Sequence, residues 1–226
     1  MSLKIGALFD WDGVIGDSAE CHERSWVKLA DSRNLFLPKD AFKITFGRRN
    51  VEIITEVLKW TDDLNEAQEL SDAKEIIYRR LCETEGLPTI AGAVEFIKEL
   101  KSANIPCVVG SSAPRANLEV AIKVLGLEDY FAAVVASEDV PVGKPAPDVY
   151  LRAAAEIGVS PEHCAVFEDS LPGIISAGRA GSKKIALATT HDFDFWKSRK
   201  ILEETPDIII KDFTKFSPHA LSALFA

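Results

Sequence analysis

Asp10 and Asp12 stand two residues apart, immediately after the apolar run Ile5–Phe9 and before Gly13. Two carboxylates at the mouth of a strand suit nucleophilic and acid–base work, one attacking while the other delivers a proton and later recovers it. Other polar groups occur in the same setting. Gly110-Ser111-Ser112 closes the run Cys107–Val109, and Glu168-Asp169-Ser170 closes Cys164–Phe167. Gly143-Lys144-Pro145 lies in the loop after Ala133–Val135. Alone, DxDG is a turn, a serine pair is a helix cap and a Gly-Lys-Pro run is a loop. Their recurrence at strand ends is what points to chemistry.

Asp10, Asp12, Glu168 and Asp169 bring negative charge that Lys144 alone does not balance, and carboxylates packed a few ångströms apart repel strongly. A cation is required, and an all-oxygen donor set favours Mg²⁺ over zinc. Asp10, Asp12, Glu168 and Asp169 are the expected metal residues. Lys144 and the hydroxyl of Ser111 then hold a phosphoryl group, Asp10 attacks phosphorus, and Asp12 serves the leaving group as acid and water as base. The expected substrate is a small phosphorylated metabolite.

The elements that must position these groups follow from pattern. Runs apolar on both faces, as in Ile5–Phe9, Cys107–Val109, Ala133–Val135, Cys164–Phe167, Ile185–Leu187 and Ile208–Ile210, read as buried parallel strands. Segments of helical period alternate with them from about residue 88 onward. The expected fold is α/β, a doubly wound parallel sheet that binds its ligand beyond the carboxyl ends of the strands. Residues 18–86 break the alternation with amphipathic helices over Ala19–Ala30, Val51–Trp60 and Glu66–Cys82. The expected domains are therefore a core of residues 1–16 and 87–226, and an inserted all-helical cap of residues 17–86.

In a chain of 226 residues, 47% hydrophobic and 27% charged, one sizeable folded core is expected rather than disorder. A net charge of -9 argues against nucleic acid and anionic membrane surfaces as partners. No apolar run is long enough to span a bilayer. The four cysteines form no CxxC pair and the opening residues no leader pattern. A cytoplasmic monomer is expected.

Four stretches, DWDGVIGDS, VVGSSAPR, VGKPAPDVY and VFEDSLPGI, resemble the haloacid dehalogenase (HAD) superfamily. The likeness is to its branch with a helical cap after the first strand, which includes β-phosphoglucomutase and many sugar-phosphate phosphatases. The resemblance implies a Rossmann-like core. It makes Asp10 the nucleophile and a ligand of Mg²⁺, and Asp12 the acid/base, with its backbone carbonyl also on the metal. Ser111 and Lys144 hold the phosphoryl group, Asp169 ligates the metal, and Glu168 ligates or orients it. The acid at Asp12 distinguishes the chain from dehalogenases and phosphonoacetaldehyde hydrolases, which lack it.

Substrate choice is expected to lie with the cap, which closes over the crevice. The opening DSAECHERSW resembles β-phosphoglucomutase and places Ser18 and His22 at matching positions. Arg48 and Arg49 offer cap cations, and Lys74 with Tyr78 resembles a cap Lys-x-x-x-Tyr pattern. Ser112 and Arg115 complete the candidate substrate-binding set. Pro114-Arg115 stands where the mutase has Lys-Asn, which favours a phosphatase. A phosphomutase is the alternative, and a non-catalytic phosphate-binding protein the second.

Overall fold

The computed structural model describes residues 4–41 and 49–226. The chain divides into two compact units, Met1–Ser18 with Pro88–Ala226, and Ala19–Leu87.

In the first unit, six strands form one parallel sheet: β1 (Gly6–Phe9), β2 (Cys107–Gly110), β3 (Ala133–Val135), β4 (Cys164–Glu168), β5 (Lys183–Leu187) and β6 (Ile208–Ile210). Their order is β3-β2-β1-β4-β5-β6. This is the doubly wound parallel sheet expected from the apolar runs.

Both faces of the central strands are buried, which explains why those runs do not alternate with polar residues. Leu8 and Val166 pack with Val149, Tyr150 and Ala177 from helices Asp148–Glu156 and Leu171–Ala180. On the opposite face, Phe9 stacks on Phe167 at 4.7 Å between centroids, and Phe96 of helix Ala93–Ser102 stacks on Phe213 at 5.2 Å. Phe9 and Phe167 are register partners, so the residues that follow them, Asp10 just past β1 and Glu168 at the end of β4, stand at one level. Burying each such ring contributes about 1.5–3 kcal/mol, which holds the two strand ends rigidly side by side. The strand order reverses between β1 and β4, where such sheets open a ligand crevice.

In the second unit, helices Ala19–Arg33 and Leu64–Glu85 pack around Trp26, Leu29, Ile54 and Leu70. Asp63 caps the longer helix by accepting from the N–H groups of Asn65 and Glu66, and Gly86 ends it at φ 82°. Arg24 pairs with both carboxylate oxygens of Glu85 at 2.7 and 2.8 Å.

The helix expected over Val51–Trp60 is shorter and irregular. Asn50–Glu52 is α-helical, Ile53–Val57 is a π-turn in which Leu58 donates to the Ile53 carbonyl, and Lys59 adopts φ 51°. The cause lies in the β-branched residues Val51, Ile53, Ile54, Thr55 and Val57, which crowd a regular turn. Thr55 also bonds back to the Val51 carbonyl at 2.9 Å. Among the described residues, no helix is long and apolar enough to cross a membrane.

Candidate active site

The segment after β1 turns back sharply, and Trp11 makes the turn. Its carbonyl accepts from the N–H groups of Ile15 and Gly16 at 2.9 and 3.0 Å, and Gly13 takes φ 72°. A Cβ on Gly13 would sit 2.0 Å from Asp169 Oδ2, so only glycine lets the turn pass this close to that carboxylate. Within the turn, Asp12 is partly buried and its Oδ1 accepts from the Ser18 hydroxyl at 2.5 Å.

Asp10, Glu168 and Asp169 are all buried, and each offers an oxygen within 4.8 Å of the others. The Lys144 ammonium lies 3.0 Å from Asp10 Oδ1 and 2.6 Å from Glu168 Oε1. Lys144 is the cation paired with buried Asp10 Oδ1. Glu168 Oε1 accepts from Lys144 and, at 2.7 Å, from the Tyr150 hydroxyl. Its Oε2 accepts from the N–H groups of Asp169 and Ser170 and from the Ser170 hydroxyl, at 3.1, 3.1 and 2.9 Å. Five donors exceed the lone-pair sites of one carboxylate.

Electrostatics agree with a shortage of positive charge. Burial pushes the Asp10 carboxyl from 3.8 up to about 7; Lys144 opposes the rise, and Glu168 and Asp12 add to it. Burial likewise raises Asp169 well above the carboxylate range, with Glu168 and Asp10 contributing. Burial alone would lower Lys144, but Asp10 and Glu168 outweigh it and hold the lysine above its ordinary value. Asp10, Glu168 and Asp169 could hold a divalent cation that supplies positive charge, and oxygen donors at Asp10 and Asp169 suit Mg²⁺. Glu168 could join only by giving up one of its present bonds.

Ser111 is buried just beyond β2, its N–H donating to the Val135 carbonyl at 3.0 Å and its Oγ accepting from Ala113 N–H at 3.1 Å. Ser112 is exposed. Arg115, expected to bind substrate, directs its guanidinium to the Val134 carbonyl (3.1 Å) and Asp139. Acidic residues after β3 draw it there, a pairing across nineteen or more positions that local sequence does not announce. Ser18 lies in the first unit, where its hydroxyl donates to Asp12.

His22 and Lys74 meet within the helical unit. Lys74 Nζ lies 2.6 Å from His22 Nδ1 and 3.0 Å from Glu75 Oε1, and the His22 ring stacks on Tyr78 at 4.1 Å. Lys74 is buried at 2% exposure, so these contacts are what make its charge tolerable. Arg49 is exposed at the start of the Asn50–Glu52 helix. Arg48 lies outside the described residues.

Residues 6–181 match the family model described as haloacid dehalogenase-like hydrolase. The chain belongs to that family of hydrolases. Among its relatives, a chloroplastic 5-amino-6-(5-phospho-D-ribitylamino)uracil phosphatase of Arabidopsis thaliana is 32% identical over 218 residues. The alignment takes in 94% of this chain but 58% of that protein, so the chain spans little more than half its length. Hexitol phosphatase A of Escherichia coli is 30% identical over 187 residues, 83% of this chain and 84% of that one. A β-phosphoglucomutase of Mycobacterium bovis is 26% identical over 237 residues, covering 92% and 89%. Among solved structures, a HAD hydrolase of family IA, variant 3, from Entamoeba histolytica superposes with a TM-score of 0.85 at 30% identity, covering 97% and 98% of the two chains.

Tyr150, Thr189 and Thr190 were not singled out by the sequence. Tyr150 closes the stretch VGKPAPDVY in the first turn of helix Asp148–Glu156, but nothing in that stretch assigns its hydroxyl a partner. Thr189 and Thr190 follow β5, and the rule that pointed to the other strand ends would have reached them. Thr189 Oγ1 donates to the Gly13 carbonyl at 2.7 Å, and Thr190 Oγ1 to Asp169 Oδ2.

Proposed function

We propose that this hydrolase is a Mg²⁺-dependent phosphatase that dephosphorylates a small phosphorylated metabolite through an aspartyl-phosphate on Asp10. The observation that carries this reading is the buried Asp10–Lys144–Glu168–Asp169 cluster, with a hydroxyl-anchored second acid, Asp12, in the adjoining turn. The activities of the phosphatase relatives support it.

Asp10 bonds to phosphorus through a carboxylate oxygen as the ester P–O bond breaks, and Asp12 protonates the departing oxygen. Ser18, by donating to Asp12 Oδ1, leaves Oδ2 to carry that proton. Asp12, now ionised, takes a proton from water as the water attacks phosphorus, which releases inorganic phosphate and restores Asp10. Lys144 and the Ser111 hydroxyl hold the phosphoryl oxygens, and Glu168, saturated by five donors, fixes the lysine. Mg²⁺ held by Asp10, Asp169 and the Asp12 carbonyl would neutralise the carboxylates and the charge on the phosphoryl group.

The substrate class that best fits is a sugar or sugar-alcohol phosphate, by analogy with the relatives. A phosphomutase remains the second reading, favoured by the mutase-like opening of the first cap helix, the His22–Lys74 contact and the mutase relative. Against it, Pro114-Arg115 stands where the mutase has Lys-Asn, and Arg115 is engaged with Asp139.

Asp10→Asn should abolish release of phosphate from p-nitrophenyl phosphate while the circular dichroism spectrum stays native. Full turnover by that variant would refute covalent catalysis at this residue. Incubation with β-glucose 1-phosphate and a bisphosphate primer separates the two readings. Faster formation of glucose 6-phosphate than of free phosphate would favour the mutase.

A further inference from the structure

The loop after β5 touches the cluster at two points, and the metal and acid chemistry above uses neither. Its first end is fixed by the sheet: Ala188 N–H donates to the Ile210 carbonyl at 2.8 Å. Behind it, buried Trp196 donates its indole N–H to the Leu187 carbonyl at 3.2 Å and packs with Ile174 and Ala186. Its second end is fixed by Asp192, which caps helix Phe193–Ser198 by accepting from Phe195 N–H at 2.8 Å. Only three residues span these anchors, and two of them are threonines whose hydroxyls both point at the site.

Thr189 Oγ1 reaches the Gly13 carbonyl in the turn that carries Asp12. Thr190 Oγ1 reaches Asp169 Oδ2, the same oxygen against which Gly13 packs without room for a Cβ. One carboxylate oxygen is thus held between a glycine backbone and a threonine hydroxyl, and the loop ties the turn after β1 to the acid after β4. Asp169 is 4% exposed, so water has little access to stand in for the Thr190 hydroxyl if that is removed.

We propose that Thr190 is a positioning residue for the divalent cation: by committing Oδ2 of Asp169 it fixes the carboxylate plane and leaves Oδ1 to the metal, while Thr189 holds the Gly13 turn at the matching distance. The proposal rests on the metal-dependent reading of this site. A partner that orients a ligating carboxylate typically changes metal affinity by about ten- to a hundredfold when removed. The cost arises because a carboxylate free to rotate must be ordered by the cation itself.

The test is calorimetric titration of MgCl₂ into chelator-stripped protein, with no substrate present. Thr190→Val, which keeps the shape and removes the hydroxyl, should raise the Mg²⁺ dissociation constant by about tenfold or more. Thr190→Ser, which keeps the hydroxyl, should restore binding to near the wild-type value. In turnover of p-nitrophenyl phosphate, the Val variant should need proportionally more Mg²⁺ for half-maximal rate, with kcat at saturating Mg²⁺ much less affected. Unchanged Mg²⁺ affinity in Thr190→Val, even with a lowered Tm in EDTA, would overturn the proposal and leave the threonine a structural tie. Equal weakening by Val and Ser would overturn it as well. Wild-type protein that binds no Mg²⁺ would bring down this proposal together with the metal reading beneath it, whereas wild-type binding that Thr190→Val leaves intact would bring down this proposal alone.

Discussion

The raised carboxyl of Asp10 makes a quantitative demand on stability in the metal-free protein. In the unfolded chain Asp10 loses its proton near 3.8, and in the folded chain near 7. Between those values the folded state binds a proton that the unfolded state has released, so stability falls as pH rises through this window. The Asp10 contribution is fully present below 3.8 and gone above about 7. At about 1.4 kcal/mol for each pH unit, the whole window is worth about 4 kcal/mol, of which about 3 kcal/mol falls between pH 5 and 7.

Asp10→Asn removes this titration while keeping the side chain's shape. In EDTA, the variant should therefore gain about 2–3 kcal/mol on wild type between pH 5 and pH 8, or about 5–10 °C in the difference of their Tm values for a chain of this size. Comparing the two proteins at each pH cancels groups that do not interact with Asp10, such as His191, whose pKa burial lowers. Thermal melts followed by circular dichroism at a series of pH values supply the measurement. Wild-type and variant curves that stay parallel to within about 0.5 kcal/mol from pH 5 to 8 would refute the claim that burial, outrunning Lys144, governs this carboxyl. Added Mg²⁺ should stabilise wild type more at pH 8 than at pH 5, because the cation binds the ionised form.

Lys144→Met leaves Asp10 and Glu168 buried without their shared counter-charge, so urea denaturation at pH 8 should show a loss of about 3–5 kcal/mol. Tyr150→Phe removes one of five donors to Glu168, and the same assay should register a loss of about 1.5–3 kcal/mol, as for other hydrogen bonds to charge. Gly13→Ala forces a side chain into a left-handed turn and onto Asp169, so Mg²⁺ binding by calorimetry should weaken sharply, with about 1–2 kcal/mol of backbone strain besides. Stripping the metal with EDTA should reduce hydrolysis of p-nitrophenyl phosphate to background, and Mg²⁺ should restore it.

Much of this was legible along the chain, because a parallel strand buried on both faces must be written as an unbroken apolar run. Leu8, Phe9, Val166 and Phe167 declare their strands by composition, and the polar residues that end each run declare which edge does chemistry. Asp10, Glu168 and Asp169 could be grouped on that basis, since any parallel sheet brings its carboxyl ends to one side.

The order β3-β2-β1-β4-β5-β6 could not be read this way, because which strand lies beside which is decided by packing between distant segments. The same holds for the finer chemistry. Thr190 on Asp169, Tyr150 on Glu168 and Arg115 on Asp139 are pairings between loops and helices some eighteen to twenty-four residues apart, and nothing in the local pattern of either member encodes the other. Ser18 was legible only through its likeness to the mutase at the opening of the first cap helix, and its bond to Asp12 needed the turn's path in space. Residue type set the charges that had to be neutralised; the fold chose the partners, because hydrogen bonds and ion pairs depend on ångströms of separation and not on position along the chain.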